Sequence, residues 1–204
     1  MMTILEIAKA AAKNVGVAPF DAVVANTDQD ALEIVQFSTD ACREIARRVD
    51  WGQMQQSTTL TGDGTAKVHS LPSDFARLQQ GTAVVYSGSP LRGGLSADEW
   101  NALPATAGTP RFFRLRGTTM EFWPYLADAA TATVHYQSKN WNATANSAAW
   151  ASDSDVPVIP DELVLLGVIW RWRRHKGMDY QDHQAEYEAA LNDLASFDDR
   201  GRTP

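Results

Sequence analysis

The sequence predicts an α+β protein, in which a helical bundle built from both ends of the chain holds an inserted antiparallel β lobe. Apolar residues recur at helical spacing near both termini, and short β-branched segments separated by turn residues fill the middle. The 204 residues suffice for one domain with an inserted lobe. An apolar fraction of 44% and a charged fraction of 21% are typical of globular proteins.

Two helices are expected at the start of the chain. Thr3 caps the first helix, and Gly16 occupies the position after its end, where left-handed backbone is common. The second begins at Thr27, with Asp30 three residues later as a variant of the capping box, and ends near Trp51. These two helices supply the N-terminal share of the bundle.

The β lobe is expected over residues 53–140. Residues 56–61 and 66–71 flank a glycine-rich turn and predict one hairpin. Residues 111–116 and 120–123 predict a second hairpin. About six strands are expected in all, enough for a small sheet or sandwich.

The remaining boundaries follow from composition. Residues 141–156 are rich in Asn, Ala, Ser and Asp and are expected to form a loop. Helices then cover 157–197, with Pro160 suited to a first helical position, and join residues 1–52 in the helical part. The polar tail, 198–204, is expected to be mobile.

Net charge divides the chain along similar lines. The formal charge is −7, and residues 1–50, 51–150 and 151–204 carry −3, +1 and −5. An acidic chain binds phosphate backbones poorly, so generic nucleic-acid binding is not expected. The single cysteine, Cys42, excludes a disulfide framework and a CxxC metal site. No membrane span is expected, because the longest apolar run has eight residues and a span needs about 20.

Catalytic and metal-binding motifs are missing from the sequence. There is no GxSxG nucleophile motif and no HExxH zinc motif. Asp179, Asp182, His183 and Glu186 share one helix face, but a solvated acidic surface explains them better than a metal site. We therefore predict no catalytic, cofactor-binding or metal-binding residues and no enzyme. A small hydrolase assembled from distant His, Asp and Ser side chains stays as an alternative.

The densest cation cluster alternates with tryptophan over residues 170–176. Trp and Arg are favoured at interface hot spots, although the same pattern fits a helix C terminus with paired cations or a nucleic-acid stacking surface. The helix over residues 28–50 is a second candidate for subunit packing. The candidate subunit-interface residues are Trp170, Arg171, Trp172, Arg173, Arg174, Lys176, Arg47 and Trp51.

Seven tryptophans are many for a chain of this length. Core or interface anchoring is their commonest role. An aromatic platform for a carbohydrate or a receptor is the alternative, and it predicts an exposed aromatic shelf. That reading also predicts a trimer in place of a large ring.

A series of short motifs runs through the chain in a fixed order. The motifs are RRVDW (47–51), LPSDFAR (71–77), PL (90–91), DEW (98–100), GTPRFFR (108–114), EFWP (121–124), YQSKNW (136–141) and WRWRRHKGMDY (170–180). Their order and spacing resemble the head-to-tail adaptor (connector) proteins of short-tailed phages and, more loosely, tail tubular protein A. The resemblance covers roughly residues 20–195.

The resemblance implies a structural virion protein at the head–tail junction, made in the host cytoplasm. It implies a ring of about twelve copies that contacts the portal protein and the next tail component, a nozzle or tail tube. Genomic DNA would pass through the ring without sequence-specific binding. It implies no cofactor, no enzymatic activity and no membrane. The acidic net charge adds the hypothesis that carboxylates of a terminal helical part face the channel and repel phosphate.

Overall fold

A computed structural model describes residues 1–81, 83–104 and 108–200. Residues 199 and 200 are described by their backbone alone. The chain divides into two compact units. The helical unit combines Met1–Met54 with the segment that begins at Lys139, and the β unit is Gln55–Ser138. Helices and antiparallel sheets together confirm the α+β fold class.

The elements of the described residues are numbered in chain order. The helices are α1 (Ile4–Val15), α2 (Gln29–Arg48), α3 (Ala97–Asn101), α4 (Asp161–His175) and α5 (Gln181–Arg200), with a short 3₁₀ turn at Gly52–Met54. The strands are β1 (Gln55–Thr61), β2 (Val68–Ser70), β3 (Phe75–Leu78), β4 (Val84–Tyr86), β5 (Ser89–Pro90), β6 (Phe112–Arg116), β7 (Thr119–Trp123) and β8 (Thr131–Ser138).

Local chemistry sets the helix ends. Thr3 caps α1 and Gly16 follows its end with φ of 76°, as predicted, and Glu6 completes a capping box with Thr3. Helix α2 is capped by Asp28 instead of the predicted Thr27, because the Asp28 carboxylate accepts two amide N–H groups of the first turn. Helix α5 continues to Arg200, and the rest of the predicted tail, 201–204, lies outside the described residues.

Helix α4 is the centre of the helical unit, since it packs against α1, α2 and α5. Seven of its fifteen residues are buried, among them Leu163, Val168 and Trp172. Gly167 allows the closest approach, because a Cβ there would lie 2.8 Å from the Ala41 Cβ of α2. The helical core therefore depends on a small residue where α4 crosses α2.

A network of hydrogen bonds holds the segment between β8 and α4. The Asn142 side-chain amide donates to the Asp155 carboxylate at 2.7 Å, and the Ala151 N–H donates to the same carboxylate. Burial opposes ionisation of Asp155, but these hydrogen bonds hold its pKa below the usual value. Asp153 accepts the N–H groups of Val23 and Val24, so this segment also fixes the chain between α1 and α2.

Two antiparallel sheets form the β unit. Strand β8 is central in the first sheet, with β1 on one side and β3 and β4 along the other, and β5 extends β4. The second sheet has the order β2-β7-β6. Strands β6 and β7 form the second predicted hairpin, which turns at Gly117 with φ of 58°.

The first predicted hairpin is wrong. Strand β1 pairs with β8 and strand β2 pairs with β7, so the two segments belong to different sheets. The glycine-rich stretch between them packs closely on another part of the chain. A Cβ on Gly62 would lie 2.3 Å from the Ala127 carbonyl oxygen, and Gly62 exchanges backbone hydrogen bonds with Ala129 and Ala130. Gly62 therefore serves close approach of two backbones.

The described helices include none that combines the length and the apolar character needed to cross a membrane.

Candidate assembly surface

Three of the predicted interface residues, Trp51, Trp170 and Trp172, lie in the core. Trp51 and Trp172 are each 2% exposed, and the Trp51 indole N–H donates to the Ile45 carbonyl at 3.0 Å. Phe37 packs edge-on against Trp172. Both indoles are enclosed in the core of the helical unit, Trp172 on α4 and Trp51 just after the end of α2. The sequence pattern at these positions has an intramolecular explanation.

Trp170 and Arg171 stabilise the packing of three helices. The Arg171 side chain, 11% exposed, binds the Glu44 carboxylate of α2 and donates to the Gly167 carbonyl at 2.8 Å. Its guanidinium also stacks over the rings of Trp170 and Tyr187, at 4.4 and 5.7 Å. Arg171 is therefore a cross-link between α2, α4 and α5.

Lys176 and Arg173 are also held within the chain. The Lys176 ammonium lies 2.8 Å from the Glu33 carboxylate and 3.2 Å from Asp30, and this pairing raises its pKa. Burial acts against ionisation of Glu33, but hydrogen bonds from Lys176 and Gln29 lower its pKa. The Arg173 guanidinium donates to the Asp179 carbonyl at 2.6 Å. Both cations tie the end of α4 to nearby backbone or carboxylates.

Arg174 and Arg47 remain exposed, and neither side chain makes a hydrogen bond or an ion pair with any residue that the structure describes. Arg174 borders an open groove of about 490 Å³ between α2 and α4, a volume within the range of ligand sites. We call it the α2–α4 groove. Its lining residues are Phe37, Asp40, Trp170, Arg171, Arg174 and His175.

Sequence reasoning missed the residues that α2 contributes. Phe37 and Asp40 form the α2 wall of the groove. Arg48 binds Glu44 at 3.1 Å and Glu188 of α5 at 2.6 Å. Spacing predicts only the first of these pairs, because Glu44 and Arg48 are four residues apart on one helix. The other contacts join residues more than a hundred positions apart.

The tryptophans do not form an exposed shelf. Six of the seven are buried, and Trp123 is half-buried. The Lys67 ammonium lies 4.2 Å above the Trp123 ring, and the indole N–H donates to the Pro104 carbonyl. The aromatic platform expected of a carbohydrate-binding or receptor-binding component is therefore contradicted for tryptophan.

The described residues contain no group of three or more His, Cys, Asp or Glu side chains able to hold a metal ion. Within the predicted acidic face, His183 and Glu186 are 3.9 Å apart, and the Asp179 carboxylate accepts the Gln181 N–H. Burial raises the pKa of the Cys42 thiol well above its usual value, which disfavours the reactive thiolate. The side chains singled out by the sequence thus serve helix packing and surface charge.

The most extensive side-chain contacts described in the helical unit join α2, α4 and α5. The sequence profile of the family described as SU10 adaptor protein matches residues 2–204, nearly the whole chain. The chain belongs to this family of phage head-to-tail adaptors, which are structural virion components and not enzymes. No curated protein matches the chain. The family confirms the resemblance given by the short motifs.

Proposed function

We propose that the protein forms a closed ring of about twelve copies that joins the portal to the next tail component and conducts genomic DNA. The observation that carries this proposal is the family match over residues 2–204. The ring stoichiometry and the two partners come from the resemblance to short-tailed-phage adaptors.

A ring of identical subunits needs two different surfaces on each copy, because a heterologous contact must repeat and close by rotation. Exposed cations without an internal partner are available for such contacts. Arg174 and Arg47 meet this condition among the described residues, whereas Arg171 and Lys176 are used inside the subunit. The predicted interface is thereby narrowed to two arginines and their surroundings.

The charge distribution supports DNA passage along the helical unit. This unit has twelve basic and nineteen acidic residues, whereas the β unit has six of each. The entire net charge of −7 therefore belongs to the helical unit. An acidic channel wall repels phosphate, so DNA slides without adhering. Exposed carboxylates of α5, such as Asp182, Glu186 and Asp193, are candidates for this wall.

Sedimentation mass of the purified chain, alone and with the portal ring of the same phage, tests the proposal. We expect a monomer of 22.4 kDa, or a ring, that binds the portal ring in about twelve copies. Weak heterologous contacts become stable when the portal holds the copies at high effective concentration. A stable trimer that does not bind the portal ring would contradict the adaptor function and favour a receptor-binding component.

Charge reversal tests the channel wall. Virions with Asp182→Lys, Glu186→Lys and Asp193→Lys should eject DNA more slowly, because lysines in the wall bind phosphate. A matched control reverses three exposed carboxylates outside α5, namely Asp21, Asp128 and Glu162. Equal ejection rates in the triple variant and in wild type would exclude α5 from the channel wall.

A further inference from the structure

Strand β1 leaves one edge of the first sheet open. It pairs with β8 over all seven of its residues, in an unbroken register that runs from Gln55 opposite Gln137 to Thr61 opposite Thr131. Within residues 1–81, 83–104 and 108–200, β8 is the only strand that pairs with β1. The side of β1 that faces away from β8 therefore carries backbone groups that no strand pairs.

Hydrogen bonds of β8 show which residues of β1 present these groups. The His135 N–H donates to the Ala83 carbonyl at 2.7 Å, and the His135 carbonyl accepts the Gln79 N–H at 3.2 Å. Both backbone groups of His135 thus point away from Ser57, its partner on β1. Antiparallel pairs alternate between hydrogen-bonded and non-hydrogen-bonded positions, so every second residue of β1 turns its N–H and C=O groups outward. The outward residues, which we call the β1 edge, are Ser57, Thr59 and Thr61.

The three residues of the β1 edge are exposed to solvent. Their N–H and C=O groups have no hydrogen-bond partner in the part of the chain that the structure describes. Successive residues of the row are about 6.8 Å apart, which is the repeat of another antiparallel strand. The β1 edge is therefore a template for a further strand.

The other strand edges of the β unit are protected in ways that natural sheets use against pairing. Strand β5 has two residues and includes Pro90, which lacks an N–H, and β2 has three residues. The pairing of β3 shifts in register beside Arg77. Strand β6 is covered by Arg92, whose carbonyl accepts the Phe113 N–H at 3.0 Å. In contrast, β1 has seven residues with no charge, no proline and no register shift.

A neighbouring copy does not supply the missing strand from its own β unit. Because β1 is the one long unprotected edge among the described strands, two copies would have to pair β1 with β1. Such pairing is isologous and gives a two-fold dimer, whereas a ring needs a heterologous contact. An edge about 23 Å long in a sheet about 10 Å thick buries roughly 230 Å² per copy, and a stable interface buries about 800 Å².

We propose that the β1 edge receives an extended segment of the next tail component, which adds a strand to the first sheet. The inference rests on the proposed function, since it specifies the contact that this component makes with each subunit. Strand addition depends on main-chain hydrogen bonds, and the neighbouring side chains set the sequence preference. A ring repeats the contact once per subunit, so a contact that is weak by itself becomes strong in the assembly.

The side chains of β1 specify the chemistry of this segment. On the outer face of the sheet, Ser57, Thr59 and Thr61 present a row of hydroxyls, which favours Thr or Ser beside them. The half-buried Thr58 and the buried Leu60 lie on the face toward the β core and favour Val or Ile. No residue of β1 is charged, so the segment is expected to alternate these polar and apolar residues without charges or proline.

Amide hydrogen exchange at single-residue resolution, by mass spectrometry with electron-transfer fragmentation, tests the strand addition. In the complex of the chain with the portal ring, the three N–H groups of the β1 edge should exchange rapidly. The N–H groups of Thr58 and Leu60, which bond to β8, are internal controls that should exchange slowly. Adding the purified nozzle or tail-tube protein of the same phage should slow exchange at the β1 edge at least about tenfold.

Two results of this measurement would overturn the inference. One is unchanged exchange at all three positions of the β1 edge in a complex that contains the tail protein. The other is slow exchange at these positions before the tail protein is added, because that protection would come from pairing between copies.

Thr59→Pro gives an independent measurement. Proline removes one outward N–H and leaves the bonds to β8 intact, so circular dichroism should match wild type. Binding of the tail protein to the complex of chain and portal ring should weaken at least about tenfold, because one hydrogen bond is lost and the proline ring blocks the approach of a strand. The matched control, Thr59→Val, changes the same side chain but keeps the N–H, and should bind like wild type.

The outcomes separate the contact from the function. Wild-type affinity of both variants, with the tail protein still joined to the portal by this chain, would overturn the strand addition and leave the adaptor function intact. Failure of the wild-type chain to associate with the portal ring and with the tail protein would overturn both.

Discussion

The helical unit and the β unit use charge in opposite ways. In the β unit the charges balance, and Glu121 binds both Arg114 and Arg116, at 2.6 and 3.0 Å. In the helical unit, Arg171 of α4 and the neighbouring Lys176 form ion pairs with carboxylates of α2. The unit as a whole still has more carboxylates than cations. The difference teaches that the excess of carboxylates, which we propose for a channel wall, belongs to the helical unit, whereas the β unit is neutral.

Core packing also differs between the two units. The helical core depends on one central helix, α4, in contact with three others, whereas the β core lies around β8 and the β6–β7 hairpin. Damage to α4 should therefore affect the helical unit as a whole. Substitutions in the β unit should have smaller effects, and the following predictions are ordered by expected size.

Trp172→Ala should cause the largest loss of unfolding free energy. Removing a buried indole from α4 leaves a cavity and should lower the free energy of unfolding by about 3–5 kcal/mol, measured by urea denaturation with far-UV circular dichroism. Trp123→Ala in the β unit is the matched control. That indole is half-buried, so a loss of about 1 kcal/mol is expected. Equal losses would contradict the central role of α4.

Glu44→Gln should cause the second-largest loss of unfolding free energy. It leaves the Arg171 guanidinium, which is mostly buried, without its carboxylate, at a cost of about 2 kcal/mol in unfolding free energy. The double variant Glu44→Gln with Arg171→Met should recover part of that loss, because no stranded charge remains. Strict additivity of the two single losses would show that the pair is not coupled.

Asp74→Asn tests the polar contacts of the β unit. Asp74 accepts hydrogen bonds from the hydroxyls of Tyr136, at 3.1 Å, and Ser138, at 2.8 Å. Burial and this carboxylate raise the pKa of Tyr136 to about 12. The variant should lower that pKa toward 10, measured by ultraviolet titration, and cost about 1–2 kcal/mol in unfolding free energy. Asp128→Asn, at an exposed carboxylate, should leave the titration unchanged.

The smallest of the predicted effects is the loss of unfolding free energy in acid, where protonation of Glu188 weakens its contact with Arg48 between α5 and α2. The Arg48 hydrogen bond lowers the pKa of Glu188 below its ordinary 4.5, so the contact contributes fully above that pH. The contribution is lost as the pH falls through the lowered value and Glu188 is protonated. Because Glu188 is partly exposed, we expect under about 1 kcal/mol. Glu188→Gln should reduce this dependence in acid-unfolding curves, whereas Glu162→Gln should not.

Much of the fold was predictable from the sequence, because its signals act over a few residues. The Thr3 cap and the stop at Gly16 depend on neighbours within about five positions, and the β6–β7 hairpin pairs residues at most eleven positions apart. Pairing of β1 with β8 instead of β2 was not predictable, since the glycine-rich stretch between β1 and β2 fits both a hairpin turn and the close approach to Ala127.

The candidate site was predictable only in part. The sequence marks the Arg and Trp residues of α4 as unusual, but it does not say which of them face inward. Burial of Trp172 follows from how α2 and α4 pack, whereas Arg174 is exposed and makes no ion pair with any described carboxylate. The contribution of Phe37 to the groove comes from another helix.

The sequence by itself determined the fold class, the two ends of α1, the net charge and, through the order of its short motifs, the adaptor family. The tertiary structure decided which cations are paired inside the chain, such as Arg171 and Lys176, and which stay exposed, such as Arg174. The physical reason is distance along the chain. Caps, turns and helical periodicity join near neighbours, whereas the contacts of Arg171 with Glu44 and of Arg48 with Glu188 join residues separated by 127 and 140 positions.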